Sequence, residues 1–459
     1  MVFPMKTMIG GFAAGLLFAL PAMSQDQDQV ARGKYVATAA DCVACHTAPG
    51  GKPFAGGLPF KTPMGTIYAP NITPDPATGI GNWTDAQFLR ALHDGIGANG
   101  ERLYPAFPYT AFAGISDEDA LAVKAYLFSL PPSVQKNHEN EMQFPYNIRF
   151  LMSFWNILNF KNSGSQSVAQ QADLARGAYL ADALGHCAEC HSPRNLTMGV
   201  DSSKYLGGGA VDGWTAFNLS SSKGEGLGGW TTAELAQYLK TGNVAGKAQA
   251  AGPMAEVVEN STSHLSDDDL NALATFIKAV PEQAASGPDR FSFGGHPTDI
   301  TGYRADAGQH ASEGEQLFVA ACATCHMLSG SGVKDGAYPS LFHNSVTGAS
   351  NPDNLVMAVL HGVERRGSIN DASMPAFEDE FDDRQVASLV NYVKDMFGNP
   401  QGKVDAAEVH RLRLNQLAPS PIDTLMKVGG GIAAAVVIIA LAAFFWFRRR
   451  STSASPQPL

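Results

Sequence analysis

A chain of 459 residues is too long for one ordinary core, and at roughly 150 residues per domain it divides into about three. Its formal charge of −11 and isoelectric point near 5.5 argue against a nucleic-acid or anionic-membrane surface, because the one basic run is Arg448, Arg449 and Arg450. At the N-terminus, Lys6, the apolar stretch FAAGLLFALPAM and the small-residue step Ala22-Met23-Ser24 predict a secretory signal over 1–24 and a mature chain from near Gln25.

All six cysteines fall in three copies of one pattern: Cys42-Val-Ala-Cys45-His46, Cys187-Ala-Glu-Cys190-His191 and Cys322-Ala-Thr-Cys325-His326. Disulfides in an exported protein do not require a histidine after each second cysteine, and neither does a thioredoxin-type pair. A zinc site would draw two such half-sites together. On a short helix, two cysteines three apart face one side and can each add to a vinyl group of haem, with the next histidine as proximal iron ligand. The pattern therefore predicts covalent haem c at three sites, with Cys42, Cys45, Cys187, Cys190, Cys322 and Cys325 as attachment points and His46, His191 and His326 on iron.

Each motif sits in an internal repeat. A glycine-containing helix start precedes it (ARGKY, ARGAY, SEGEQ), a Gly/Pro-rich loop follows, and the repeat closes on SDEDALAVKAYLFSL, SDDDLNALATFIKAV or DDRQVASLVNYVKDM. Ser116, Ser266 and Asp382 are expected N-caps, and Tyr126, Phe276 and Tyr392 each stand ten residues after one. The first two repeats are the closer pair, since Asn71-Ile-Thr and Asn218-Leu-Ser are each followed eight residues later by GIGNWT or GLGGWT. The expected fold is all-α: three tandem cytochrome c domains at 25–135, 172–281 and 303–400, with linkers at 136–171, 282–302 and 401–427. The apolar, aromatic stretch 144–160 is expected to pack on a neighbouring haem domain in preference to serving as a partner surface. Residues 428–447 carry no charge and run into the three arginines, so they predict one C-terminal transmembrane helix, a cytoplasmic tail at 448–459, and haem domains on the periplasmic side of the inner membrane.

A haem that only carries electrons is commonly closed by methionine on its sixth side. Met254 lies twelve residues before Ser266 and Met374 eight before Asp382, whereas the matching window of repeat one, LYPAFPYTAFAG, has none. Met64, eighteen residues after His46 on a Pro/Gly loop, is the expected substitute. His93, Met142, Met152 and an open site remain as alternatives there; Met198, Met327 and Met357 are the rivals of Met254 and Met374, and most of them are expected to be core filler.

With these features in place the chain resembles the three-haem cytochrome c subunit of membrane-bound bacterial alcohol, gluconate and related dehydrogenases. The resemblance is carried by CVACHT with GGKPFAGGLPF, NITPDPATGIGNWT, GHCAECHSPRN, AGPMAEVVENSTSHLSDDDL, and CATCH with MPAF. That family commonly reads LYPAMPY where this chain has LYPAFPY, so Phe107 stands at its ligand position. The resemblance implies a dehydrogenase catalytic subunit as donor, ubiquinone in the membrane as acceptor, and no substrate chemistry in this chain. A peroxidase-like haem enzyme using an open first haem and a stand-alone carrier to an oxidase are the rival functions. The first would recruit His93 as acid-base group.

Overall fold

The computed structural model describes residues 20–160, 174–284, 287–292, 311–333, 338–366 and 371–414. They divide into two compact units, one of 1–60, 66–141 and 183–185, the other of 61–65, 142–182 and 186–459. Repeat one apart from 61–65 thus lies in the first unit, and repeat two apart from 183–185 shares the second with repeat three.

In repeat one, α1 (Leu20–Ala39) leads to the short cysteine-bearing turn α2 (Cys42–Cys45), followed by strands β1 (Pro59–Thr62) and β2 (Gly65–Tyr68). Helices α3 (Asp85–Asp94), α4 (Tyr109–Phe112) and α5 (Asp117–Ser129) complete the repeat. The expected cap is present: Ser116 accepts from the Asp119 N–H at 3.2 Å. α1 and α5 cross where Gly33 has no side chain, and a Cβ there would stand 1.8 Å from the Ala122 carbonyl oxygen. Beside this crossing, Arg32 Nε donates to Asp119 at 2.6 Å.

The second unit opens with β3 (Glu141–Met142) and α6 (Leu151–Asn159). Repeat two then contains α7 (Ala175–Ala178), a wide π turn at Tyr179–Leu184, the short cysteine-bearing turn α8 (Ala188–His191), and strands β4 (Gly209–Val211) and β5 (Trp214–Ala216). It continues through α9 (Thr232–Thr241), β6 (Asn243–Val244), β7 (Ala248–Gln249), α10 (Pro253–Asn260) and the closing helix α11 (Asp267–Ala279). Repeat three has α12 (Glu313–Leu317), a π turn at Phe318–Cys322, α13 (Ala323–His326), α14 (Asp353–His361), strands β8 (Val363–Arg365) and β9 (Ala372–Met374), and α15 (Asp383–Phe397), followed by α16 (Ala406–Arg413).

The helix crossing of repeat one recurs twice. A Cβ on Gly177 would lie 2.2 Å from the Ala272 oxygen and one on Gly314 2.2 Å from the Ser388 oxygen. The flanking ion pair also recurs, with Arg176 Nε on Asp269 at 2.7 Å, and then inverts: Glu313 takes the arginine's place and faces Arg384 and Ser388. A residue that must touch another backbone can only be glycine, which is why this letter recurs in otherwise different helix starts.

The expectation of an all-α chain is corrected. Among the described residues the strands form one three-stranded and three two-stranded sheets, which arise where the Gly/Pro-rich loops double back on themselves. Turn residues with positive φ, such as Gly65 (132°), Asp212 (48°) and Gly213 (82°), let the chain reverse in two residues. The expected transmembrane helix also has no counterpart among the described residues, where no helix is long and apolar enough to cross a membrane; the stretch 428–447 itself lies outside them, as does 1–19 of the expected signal.

α6 departs from the packing expected for 144–160. Its Trp155 donates to the Thr197 carbonyl at 2.8 Å and Asn159 is buried, but Phe150, Phe154, Ile157 and Leu158 are exposed. Repeats two and three are joined closely, in place of beads on a linker. Asn354 grips the Thr215 backbone at both ends (2.7 and 2.9 Å), and Ser345 N–H donates to the Lys247 carbonyl at 2.7 Å. Arg365, 2% exposed, sends its guanidinium to the carbonyls of Gly242 and Ala250 at 3.0 and 3.2 Å.

Candidate functional site

The three Cys-x-x-Cys-His segments are short helical turns set off from the helix before them. Asp41 and His186, each next to the first cysteine, have positive φ (50° and 37°), and repeats two and three also carry the π turns. These breaks let the turn take its own direction. No disulfide joins the six cysteines. Burial pushes the thiols of Cys42 and Cys187 up to about 12, assisted by Asp41 and Asp182, and that of Cys322 up to about 11. Such thiols stay protonated at neutral pH, unlike the low-pKa thiolate of a redox pair or a zinc ligand.

The histidines are oriented alike in all three repeats. His46 Nδ1 lies 2.8 Å from the Pro70 carbonyl, His191 Nδ1 2.7 Å from that of Phe217, and His326 Nδ1 2.9 Å from that of Pro339. A carbonyl can only accept, so Nδ1 carries the proton and the lone pair is on Nε2. Burial lowers the pKa of each ring, only partly opposed by the carbonyl, which keeps the imidazole neutral. A neutral ring with a fixed Nε2 lone pair is what a proximal iron ligand requires, and the bond to Nδ1 is the usual second partner of a metal-bound histidine. These residues fit covalently attached haem.

The carbonyls are themselves held, in the first two repeats by the asparagines that the sequence displayed as a repeat and in the third by a serine that it did not single out. Asn71 follows Pro70, is 1% exposed, accepts from the Thr73 N–H at 2.9 Å and donates to the Ser133 carbonyl at 2.8 Å. Asn218 follows Phe217 and accepts from the Ser220 N–H at 2.7 Å, and Ser340 follows Pro339 and accepts from the Phe342 N–H at 3.2 Å. Each side chain closes a local turn that points the preceding carbonyl at the histidine. Arg290 was missed altogether. Buried at 4% exposure, it stacks 4.1 Å over the Phe217 ring, and burial draws its guanidinium down to about 10.

Of the expected sixth ligands, Met254 is the second residue of α10 and packs against the cluster of Ala250, Ala255 and Val258, as Tyr238 does, while Met374 ends β9 opposite Val363. Met64 is at the turn between β1 and β2, where its carbonyl accepts from the Gln143 N–H at 2.9 Å, and Met142 is in β3. Met152 is in α6. His93 turns its Nδ1 toward Asp117 at 3.6 Å, in the first turn of α5. Met357 is core, at 2% exposure, whereas Met327 is exposed and Met198 sits in a turn at φ 64°.

Crossed first and last helices, a Cys-x-x-Cys-His turn beside them and a carbonyl-oriented histidine define the cytochrome c class. A model of the cytochrome c family matches residues 30–131 and 311–397. The chain is 39% identical over 432 residues to the fructose dehydrogenase cytochrome subunit of Gluconobacter japonicus, covering 89% of this chain and 88% of that one. It is 37% identical over 428 residues to the gluconate 2-dehydrogenase cytochrome c subunit of Pantoea cypripedii (90% and 96% covered). With the cytochrome c subunit of the quinone alcohol dehydrogenase of Gluconobacter oxydans it shares 36% identity over 417 residues (88% and 86%). The chain belongs to this family of dehydrogenase cytochrome c subunits. Covalently bound haem c is its cofactor and electron transfer its role.

Proposed function

We propose that the chain carries three haems c, one on each Cys-x-x-Cys-His turn, and passes electrons singly from the catalytic subunit of a dehydrogenase to a respiratory quinone. The observation that carries this reading is the threefold histidine-to-carbonyl bond, which prepares three Nε2 atoms as iron ligands. The haems supply the reversible one-electron chemistry. The chain's part is to fix the rings, exclude water and set the ligands; Met254 and Met374 are the proposed sixth ligands of the second and third haems.

The relatives, whose names include fructose, gluconate and quinone alcohol dehydrogenases, support the donor, and the printed quinone of the last motivates the proposed acceptor. Their oxidised substrates differ, so the partner's substrate class is set by the partner. The proposed setting is extracytoplasmic. Co-purification tests the reading: a tagged chain expressed in its native host should bring down a larger redox subunit and be reduced when that subunit's substrate is added. A chain that purifies alone and is reduced by no such subunit contradicts it.

A further inference from the structure

Each repeat has a glycine with positive φ just after the helix that precedes its candidate sixth ligand: Gly95 (62°), Gly242 (66°) and Gly362 (71°). Twelve residues beyond each stand Phe107, Met254 and Met374. Repeats one and two return over the same path, for Leu103 N–H donates to the Gly95 carbonyl at 2.8 Å and Ala250 N–H to the Gly242 carbonyl at 2.7 Å. In repeat three, Met374 itself pairs with Val363, next to Gly362. Phe107 therefore holds the place that a thioether holds in the other two repeats, and all three side chains are half-buried.

Phe107 is fixed there by its own turn. Its N–H donates to the Tyr104 carbonyl at 3.1 Å and its carbonyl accepts from Tyr109 at 2.8 Å. The ring meets Phe112 edge-on at 5.4 Å, and Tyr104 and Tyr109 are buried alongside in sequence. A benzyl ring has no lone pair to give iron. Of the other nominees, His93 directs its Nδ1 at Asp117 in α5 at 3.6 Å, near where its counterpart Lys240 in α9 donates to the Leu265 carbonyl at 3.0 Å, immediately before the cap of α11; its Nε2 is buried without a hydrogen-bond partner, so closure of the site by this histidine is the outcome in which three haems take up no gas. Met64 is at the turn of the hairpin whose second strand leads into Pro70, the acceptor for the proximal His46 ring.

From this register we infer that the first haem, alone of the three, has an exchangeable sixth position that accepts a small neutral ligand of the carbon monoxide or nitric oxide class. The inference rests on the three-haem reading, so the haem content of the purified full-length chain is measured first. The reduced protein is then titrated with carbon monoxide and followed by its difference spectrum. Uptake of one molecule per three haems is expected. Phe107→Met should cut that uptake at least tenfold and add a third thioether-to-iron charge-transfer contribution in the oxidised protein, while Met64→Leu should change neither. Three haems with no uptake, uptake that Phe107→Met leaves intact, or uptake that appears only in Met64→Leu would each overturn the inference. A haem content below three defeats the underlying reading instead, and is seen before any gas is added.

Discussion

Asn71 shows how one side chain orients a histidine ring through a backbone carbonyl. It ties the segment after Pro70 to Ser133, Thr73 and Thr78, and so fixes the carbonyl that receives the His46 proton. Asn71→Ala leaves the Ser133 carbonyl and the Thr73 N–H without this partner, at a cost of about 2 kcal/mol. Thermal denaturation of the loaded protein should show the loss, and redox titration should move one midpoint while two stay fixed. Unchanged melting and three unchanged midpoints would contradict the role. Lys394 gives a second test. It is fully buried, donates to the Ala349 carbonyl at 2.6 Å, and is lowered from 10.5 to about 8 by burial and by the Lys403 charge. The unfolded chain holds this proton more tightly, so the penalty is complete below pH 8 and fades as pH rises toward 10.5. Stability of the wild type relative to Lys394→Met should therefore rise by about 3 kcal/mol across that window, measured by urea titration. A flat difference would refute it. The cysteines and histidines were legible because covalent attachment demands a fixed spacing. The carbonyls of Pro70, Phe217 and Pro339 were not, since a backbone acceptor has no letter of its own.

At the scale of elements, the helix crossing is specified by three glycines and decorated by charge. Gly314→Ala would drive a methyl into the Ser388 carbonyl, where neither backbone can yield without moving its helix. A loss of about 3 kcal/mol is expected from such overpacking, whereas Gly246→Ala, with nothing near its Cβ, tests only the strain of φ 74°. Equal effects in chemical denaturation would contradict the crossing. The closing helices and their caps could be read ahead of the structure because Ser116, Ser266 and Asp382 each introduce a periodic apolar run. The strands could not, because segments of two to four residues are too short to show alternation. The position of Phe107 became certain only through the glycine register; counting back from the caps gives nine residues in repeat one, twelve in repeat two and eight in repeat three.

The described residues fall into two compact units, and within the second, repeats two and three are tied by the Ser345-to-Lys247 backbone hydrogen bond and by the side chains of Asn354 and Arg365 on backbone groups. Arg365 connects them most directly, binding carbonyls 123 and 115 residues away, on the hairpin before Met254, from the hairpin that ends at Met374. Pairings across such separations leave no local pattern in the sequence. Arg365→Met should cost about 2–4 kcal/mol by removing the guanidinium donor from the Ala250 carbonyl and one of the two donors from that of Gly242, and should separate the unfolding of repeats two and three in calorimetry. A single unshifted transition would show that the interface is held elsewhere. The claim on which the account stands is that each Cys-x-x-Cys-His turn binds one haem through its cysteines. Mass spectrometry of the denatured full-length chain, purified from cells able to attach haem c, tests it most directly. The account predicts the polypeptide plus three haem masses, falling to two when Cys187 and Cys190 are both changed to alanine; any other number on the unaltered chain would contradict it.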